Sequence, residues 1–447
     1  MVYEIVLGRD EAEKEKWGTE GSILLGKQYV KMGPVTTLSQ PVYLDVNKAH
    51  VTFVCGKRGS GKSYCLGVIA EGIATIEEKF REKLSVLMLD TMGIYWTMKY
   101  PNHQDELLLK EWGMEGKAIE NVRIFTPTGY FQEYKDKGIP TDFPFSINPA
   151  ELAPEDWNLT FDISANDPIA VFIERTILTL KKAGKAYDIP DILDALDKDE
   201  REDPKVKNAA VNRFKSVKEW GIFSKEATPM KDLAKAGTVN VLDLSAYALM
   251  PGGWKIKHLV MGIVCGKLFI ERMVVRKGEE FSSIRSAVHY IATEESEEEA
   301  KLKKEKMPVV WIMIDEAHEF LPKEGKTAAS DALMTLLREG RQPGVALVLA
   351  TQQPGKIHTD AMTQSDIILA HRLTAKVDTD ALGALLQSYL RTGLDKALAE
   401  LPKVAGACLA VDDVNERMYP IRVRPRFSWH GGSAPELIKE KKKLFEF

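Results

Sequence analysis

Asp315 and Glu316 stand side by side at the end of the apolar run Val309–Ile314. Thr351, Gln352 and Gln353 end a second apolar run that begins at Val345. Between the runs lies a helical stretch that closes on Arg338 and Arg341. Two adjacent carboxylates at a strand end suit two jobs. Asp315 can act through the shell of a divalent cation, and Glu316 can orient and polarise an attacking water. Gln352 can hold the water or a terminal phosphate. Arg341 follows Gly340 and lies outside the helix, where a cation can stabilise charge on a phosphoryl group bound by another subunit. Arg338, in the last helical turn, also suits the negative end of the helix dipole. All of these roles demand a phosphate cradle elsewhere in the chain.

Gly56-Lys57-Arg58-Gly59-Ser60-Gly61-Lys62-Ser63 fits G-x-x-x-x-G-K-[ST]. It follows the β-branched run Val51–Cys55 and leads straight into a helical segment that opens on Tyr64. Strand, glycine-rich loop and helix are the context this motif needs. The glycines let backbone N–H groups wrap phosphate oxygens, and the helix N-terminus adds its dipole. Lys62 is expected to reach the β and γ phosphates of ATP, and the Ser63 hydroxyl to sit on Mg²⁺. Asp90 ends a further apolar run, Ser85–Leu89. In open α/β sheets ligands bind at the carboxyl ends of strands, so these clusters are expected to share one site.

His318 completes the string Asp-Glu-Ala-His, which invites a superfamily-2 helicase reading. The other motifs of that group are not recognisable, so His318 is read either as a coupler of strand to sensor or as a structural histidine.

Charged residues make up 28% of the 447 positions, but the net charge is −4. No global basic field points to nucleic acid, so any such contact must come from local patches. Hydrophobic residues reach 44%, enough for a large core. The four cysteines show no metal-ligand or CxxC spacing. Reduced, buried thiols in a cytoplasmic protein are expected. No apolar window is long enough to predict a membrane span.

Strand-like and helical runs alternate, which predicts an α/β fold with a mostly parallel sheet covered on both faces. Residues 1–46 read as a short β appendage, a truncated barrel. Residues 47–149 read as the first part of the core. Residues 150–236 read as a helical insert, with Asp188 as an N-cap before Ile189-Pro190. Residues 237–425 return to the core, with a charged surface insertion at 277–307. Residues 426–447 read as a basic tail.

Taken together, GKRGSGKSY, LDTMGIYW, IMIDEAHEFLP, LREGRQPG, VLATQQP and RPRFSWHGG resemble the HerA branch of the HerA/FtsK ATPases. The resemblance spans roughly residues 20 to 432 and includes the helical insert. It implies a RecA-like core, a homo-hexameric ring with ATP sites between subunits, and double-stranded DNA in the central pore. It also implies work beside a NurA-type nuclease or other effector in DNA end processing or defence. Carried over position by position, Lys62, Ser63, Asp315, Glu316 and Gln352 match the ATP-site residues, and Arg341 matches the finger that acts in trans. The loops after the carboxylate and sensor strands would face the axis and offer Lys323, Lys326 and Lys356 to DNA phosphates. The chain departs from the family at its N-terminus, where a full β-barrel docking platform is replaced by residues 1–46. An ATP-switched ring scaffold that recruits an effector without translocating is the alternative reading.

Overall fold

The computed structural model describes residues 4–32, 35–288, 307–384 and 388–432. The described strands are β1 (Ile5–Leu7), β2 (Ser22–Met32), β3 (Val35–Asp45), β4 (Val51–Cys55), β5 (Leu84–Asp90), β6 (Val122–Pro127) and β7 (Phe143–Phe145). They continue with β8 (Val239–Asp243), β9 (Val309–Ile314), β10 (Val345–Thr351), β11 (Ile367–His371), β12 (Ala407–Asp412) and β13 (Arg417–Val423). Among the described residues they form one 13-stranded sheet, ordered β1-β3-β2-β13-β12-β11-β4-β10-β9-β5-β8-β6-β7.

From β11 to β7 every pairing is parallel. These strands are nearly continuous apolar runs because both faces are covered, so no polar alternation is needed. Alternate side chains sort to opposite faces. Phe53, Leu87 and Ile312 pack in one cluster, and Val54, Met88 and Met313 in the other. The P-loop helix Lys62–Thr75 closes the second face with Leu66, Ile69 and Ile73. The helices Gly253–Val288 and Ser330–Glu339 close the first, together with the helical insert.

The insert holds helices Pro154–Phe161, Pro168–Lys182, Ile189–Lys198 and Pro204–Lys218. Asp167, Asp188 and Asp203 each accept a hydrogen bond from the first helical turn, with proline at the first or second helical position. Proline lacks an N–H that would be orphaned there, and its φ is already helical. Asp188 and Asp191 bond each other's backbone N–H reciprocally. Phe172, Ile192 and Phe214 share a core cluster with strand residues, so the insert is packed against the sheet.

Two segments differ from a reading of the chain as separate pieces. Strands β2 and β3 pair with each other, and β2 then pairs with β13, so the N-terminal β segment extends the core sheet rather than closing a barrel. Residues 426–432 do not hang free as a tail: Arg426 is fully buried. Of the charged insertion, residues 277–288 continue the long helix, and residues 289–306 lie outside the described residues. Residues 433–447 lie outside them too. No helix among the described residues is long and apolar enough to cross a membrane.

Candidate nucleotide site

Strand β10 lies between β4 and β9, so the P-loop, Asp315 and Gln352 leave three neighbouring strands at one edge. Gly56, Gly59 and Gly61 all have positive φ, at 155°, 74° and 110°. At Gly56 a Cβ would also meet His371 Cβ and Ser60 Oγ, each at 2.6 Å. Only glycine lets this loop turn back so tightly. Lys57 anchors the bend, its N–H on Arg372 O at 3.0 Å, and Ser60 N–H bonds Lys57 O at 3.2 Å. Lys62 Nζ is folded back onto Lys57 O at 3.3 Å.

Arg58, Gly59, Gly61, Lys62, Ser63 and Tyr64 line a cavity of about 610 Å³, and Asp315, Glu316 and Gln352 line the same one. Gly56, Lys57 and Ser60 form the bend behind its wall. Ser63 donates to Asp315 Oδ2 at 2.5 Å, and Asp315 Oδ1 accepts from the Glu316 N–H at 2.9 Å. A hydroxyl and a carboxylate in contact at the mouth of a phosphate loop are hard oxygen donors. Mg²⁺ takes such a pair when substrate phosphates and water complete its shell, so these residues fit the ion.

Glu316 sits in the left-handed region at φ 52°, ψ 43°. For a residue with a Cβ this costs on the order of 1 kcal/mol. The turn swings its carboxylate away from the strand axis and into the cavity. Burial, then the Asp315 charge, push its pKa above 4.5, with Lys62 and the Gln352 N–H pulling the other way. A carboxylate raised towards neutrality accepts a proton from water more readily than an ordinary one.

His318 is buried, and its Nδ1 faces Thr351 Oγ1 at 3.0 Å. Thr351 Oγ1 in turn accepts the Gln353 N–H at 3.0 Å. His318 Nδ1 also lies 3.6 Å from Glu316 Oε2. The imidazole therefore ties the carboxylate turn to the strand end that carries Gln352. Burial pulls its pKa below 6.5, which keeps the ring neutral.

One residue missed in the sequence completes the carboxylate's surroundings. Tyr95 donates to Asp315 Oδ2 at 3.3 Å. Asp90 does not face the cavity. It accepts the N–H groups of Met92, Gly93, Ile94 and Tyr95 at 2.8–3.1 Å, and so shapes the loop that delivers Tyr95. The apolar tail of LDTMGIYW after a strand-end carboxylate is the signal that could have found Tyr95. Beneath the loop, burial and then Lys62 push His371 down to about 4, so no second cation competes there.

Arg338, Arg341 and the loop lysines lie outside this cavity. Arg341 is 56% exposed and pairs with Asp366, which precedes β11. That is the amino edge of the parallel strands, opposite the P-loop. Arg338 makes a two-pronged bond to Asp360 at 2.9 and 2.6 Å. Lys323 and Lys356 are brought together by a backbone bond of 2.8 Å between their loops. Lys326 is exposed and paired with Asp331 at 2.9 Å.

The family described as "Helicase HerA, central domain" matches residues 30–252. The chain belongs to the HerA-type ATPases of the HerA/FtsK superfamily. Among HerA relatives, "Probable DNA double-strand break repair helicase HerA" of Methanocaldococcus jannaschii is 30% identical over 134 residues, covering 29% of this chain and 25% of its own. "DNA double-strand break repair helicase HerA" of Sulfurisphaera tokodaii is 24% identical over 353 residues, covering 74% of this chain and 64% of its own. The chain thus spans under two thirds of the length of the curated HerA relatives it matches. In fold, this HerA-type chain is similar to VirB4 of Thermoanaerobacter pseudethanolicus, with a TM-score of 0.54 at 13% identity over 95% of this chain and 99% of that one.

Proposed function

We propose that this chain is one subunit of a homo-hexameric, Mg-dependent ATP hydrolase that moves double-stranded DNA through a central pore. Each subunit binds ATP at its own P-loop. Ser63 and Asp315 hold the divalent cation, Lys62 neutralises the β and γ phosphates, and Glu316 takes the proton from the attacking water. Gln352 senses the terminal phosphate and passes the change through Thr351 and His318 to the carboxylate turn. Arg341 reaches the phosphoryl group bound by the neighbouring subunit. Lys323 and Lys356, with Lys326 beside them, meet phosphates of the duplex without reading its sequence.

The observation that carries this reading is a separation. Lys62, Ser63, Asp315, Glu316 and Gln352 share one cavity at the carboxyl edge of the sheet. Arg341 stands at the other edge, half-exposed, where it cannot serve that cavity. A catalytic set divided between two edges works when subunits pack head to tail, an arrangement that gives a ring when the rotation between subunits closes. The names of the HerA relatives support DNA as the polymer and double-strand break repair as its setting; a NurA-type nuclease partner rests on the family resemblance alone.

A second reading rests on charge. The chain is net acidic, and Lys326 is neutralised by Asp331. An ATP-switched ring that recruits an effector needs no basic pore. The ATPase rate with and without linear duplex DNA, measured beside the native mass, separates the two. A hexamer stimulated by DNA supports translocation. A ring indifferent to DNA supports the scaffold, and a DNA-indifferent monomer rejects both.

A further inference from the structure

The motif RPRFSWHGG has no role in the chemistry above, yet it is bound into the site. We infer that Arg424–Gly432 is a clasp that forms the nucleoside end of the nucleotide cavity and is held in place by Glu71 on the back of the P-loop helix. The inference rests on the reading of the cavity as an ATP site.

Glu71 lies nine residues after Lys62, two and a half turns along the helix, and is fully buried. Its carboxylate accepts from Arg424 Nη1 at 2.9 Å, Arg426 Nε at 3.1 Å and Ser428 Oγ at 2.6 Å. It also accepts the backbone N–H groups of Phe427 at 3.3 Å and Ser428 at 3.0 Å. All five donors come from the one short segment. A buried charge cluster of this kind adds little net stability but fixes one arrangement, because any other leaves a buried charge unpaired.

The helix is cut to receive it. A Cβ at Gly67 would lie 2.5 Å from the Arg426 guanidinium. Nearer the phosphate loop, the Arg426 N–H donates to Tyr64 Oη at 2.6 Å, and His430 packs edge-on to the Tyr64 ring at 5.2 Å. On its far side the segment is sewn to the chain after β5. Asn102 donates to Arg426 O at 2.8 Å and to Phe427 O at 2.9 Å, and Trp429 N–H donates to Tyr100 O at 2.8 Å.

The clasp thus bridges the P-loop helix and the 95–117 stretch, and the cavity lies between them. Arg424, Pro425, His430 and Gly432 line the cavity from the clasp, and Asp105 and Leu108 line it from the 95–117 stretch. Burial, then Arg426, push His430 down to about 4, so it presents a neutral ring. Leu108, Pro425 and the neutral His430 ring offer flat faces to a base, between the charges of Arg424 and Asp105. Asp105 Oδ2 accepts from Asn102 at 3.0 Å, which orients the carboxylate toward donors such as ribose hydroxyls or an exocyclic amine. The phosphates meet the glycine loop, and the nucleoside meets the clasp.

Calorimetric titration separates these two halves. The ligands are ATPγS and inorganic triphosphate, each with Mg²⁺, and the proteins are wild type, Glu71→Gln, Gly67→Ala and Lys62→Ala. Gly67→Ala keeps Glu71 and its other donors while its Cβ displaces Arg426, and retained triphosphate binding shows that the variant is folded. The two clasp variants are expected to lose roughly tenfold or more in ATPγS affinity and to hold triphosphate within about twofold of wild type. Lys62→Ala is expected to weaken both ligands. Unchanged ATPγS binding in Gly67→Ala, or an equal loss of triphosphate, overturns the clasp. A wild type that binds neither ligand overturns the ATP site on which it rests.

Discussion

Ser63 donates its hydroxyl proton to Asp315 Oδ2 across 2.5 Å, joining the first turn of the P-loop helix to the end of β9. The contact reaches over β10, the strand between them. Tyr95 meets the same oxygen from a third element. A divalent cation held here gains its two protein oxygens from segments more than 250 residues apart in sequence. Ser63→Ala and Asp315→Asn are each expected to cut Mg-dependent ATP turnover by roughly 100-fold or more. Titration of the rate with Mg²⁺ should also show a raised half-saturation for Ser63→Ala. Unaltered Mg²⁺ dependence in both variants would remove the pair from the cation's shell.

Glu316 carries a second prediction. Glu316→Gln should bind ATPγS like wild type and lose about 100- to 10,000-fold in kcat. In the proposed role the working form is the carboxylate, and its pKa is raised above 4.5. The acid limb of the kcat/KM profile, which reports the free enzyme, should therefore lie at higher pH than an ordinary glutamate would give. Glu316→Gly is inactive on the same reasoning, yet should be more stable by about 1 kcal/mol, because glycine relieves the left-handed turn. Denaturant titration checks the stability, and pre-steady-state hydrolysis checks the role.

Arg341 gives a test by mixing. Arg341→Ala alone is expected to lose roughly 1,000-fold in turnover with little change in nucleotide affinity. Lys62→Ala alone is inactive for want of a phosphate cradle. In the proposed ring, mixing the two variants places an intact Arg341 beside an intact P-loop at some interfaces, so activity should reappear. A mixture as inactive as its parents would overturn the trans role of Arg341.

His50 predicts a pH dependence of stability. It is buried, with Nε2 at 2.9 Å from Asp45 and Nδ1 at 3.2 Å from Asp366. Burial alone lowers its pKa, but the bonds and charges of Asp366 and Asp45 together outweigh that and raise it above 6.5. A histidine raised on folding adds stability that is complete below its unfolded pKa and is lost as pH rises through the folded value. Unfolding free energy should therefore decline above pH 6.5, and His50→Gln should remove that part of the slope. Asp366 also pairs with Arg341, so the same titration reports on the base to which the arginine is tied.

The loop lysines predict a salt effect. Lys323→Ala with Lys356→Ala should weaken DNA binding on all sequences alike. The slope of log affinity against log salt should fall by about 1 for each lysine that meets a phosphate. Basal ATP turnover without DNA should stay near wild type, since neither residue lines the nucleotide cavity. An unchanged slope would place the duplex elsewhere.

Much of this protein is legible along the chain because its signals are local. The P-loop needs only residues 56–63 and an apolar run before them, since backbone geometry and glycine spacing act within a few bonds. Strands buried on both faces announce themselves as apolar runs, and strand-end polar residues mark the ligand edge. Asp188 was readable as a cap because its partner lies within one turn. What the sequence could not supply is any pairing set by long-range packing. It gave no reason to bring Ser63 within 2.5 Å of Asp315, to bury Glu71 against Arg424 and Arg426, or to turn Asp90 away from the cavity. Nor could it join β2 to β13, which makes the N-terminal strands part of the core sheet. Side-chain type and spacing by themselves determined which chemistry the chain can perform. Only strand order decided which of those groups meet, because contacts between distant residues depend on how the whole sheet closes its two hydrophobic faces.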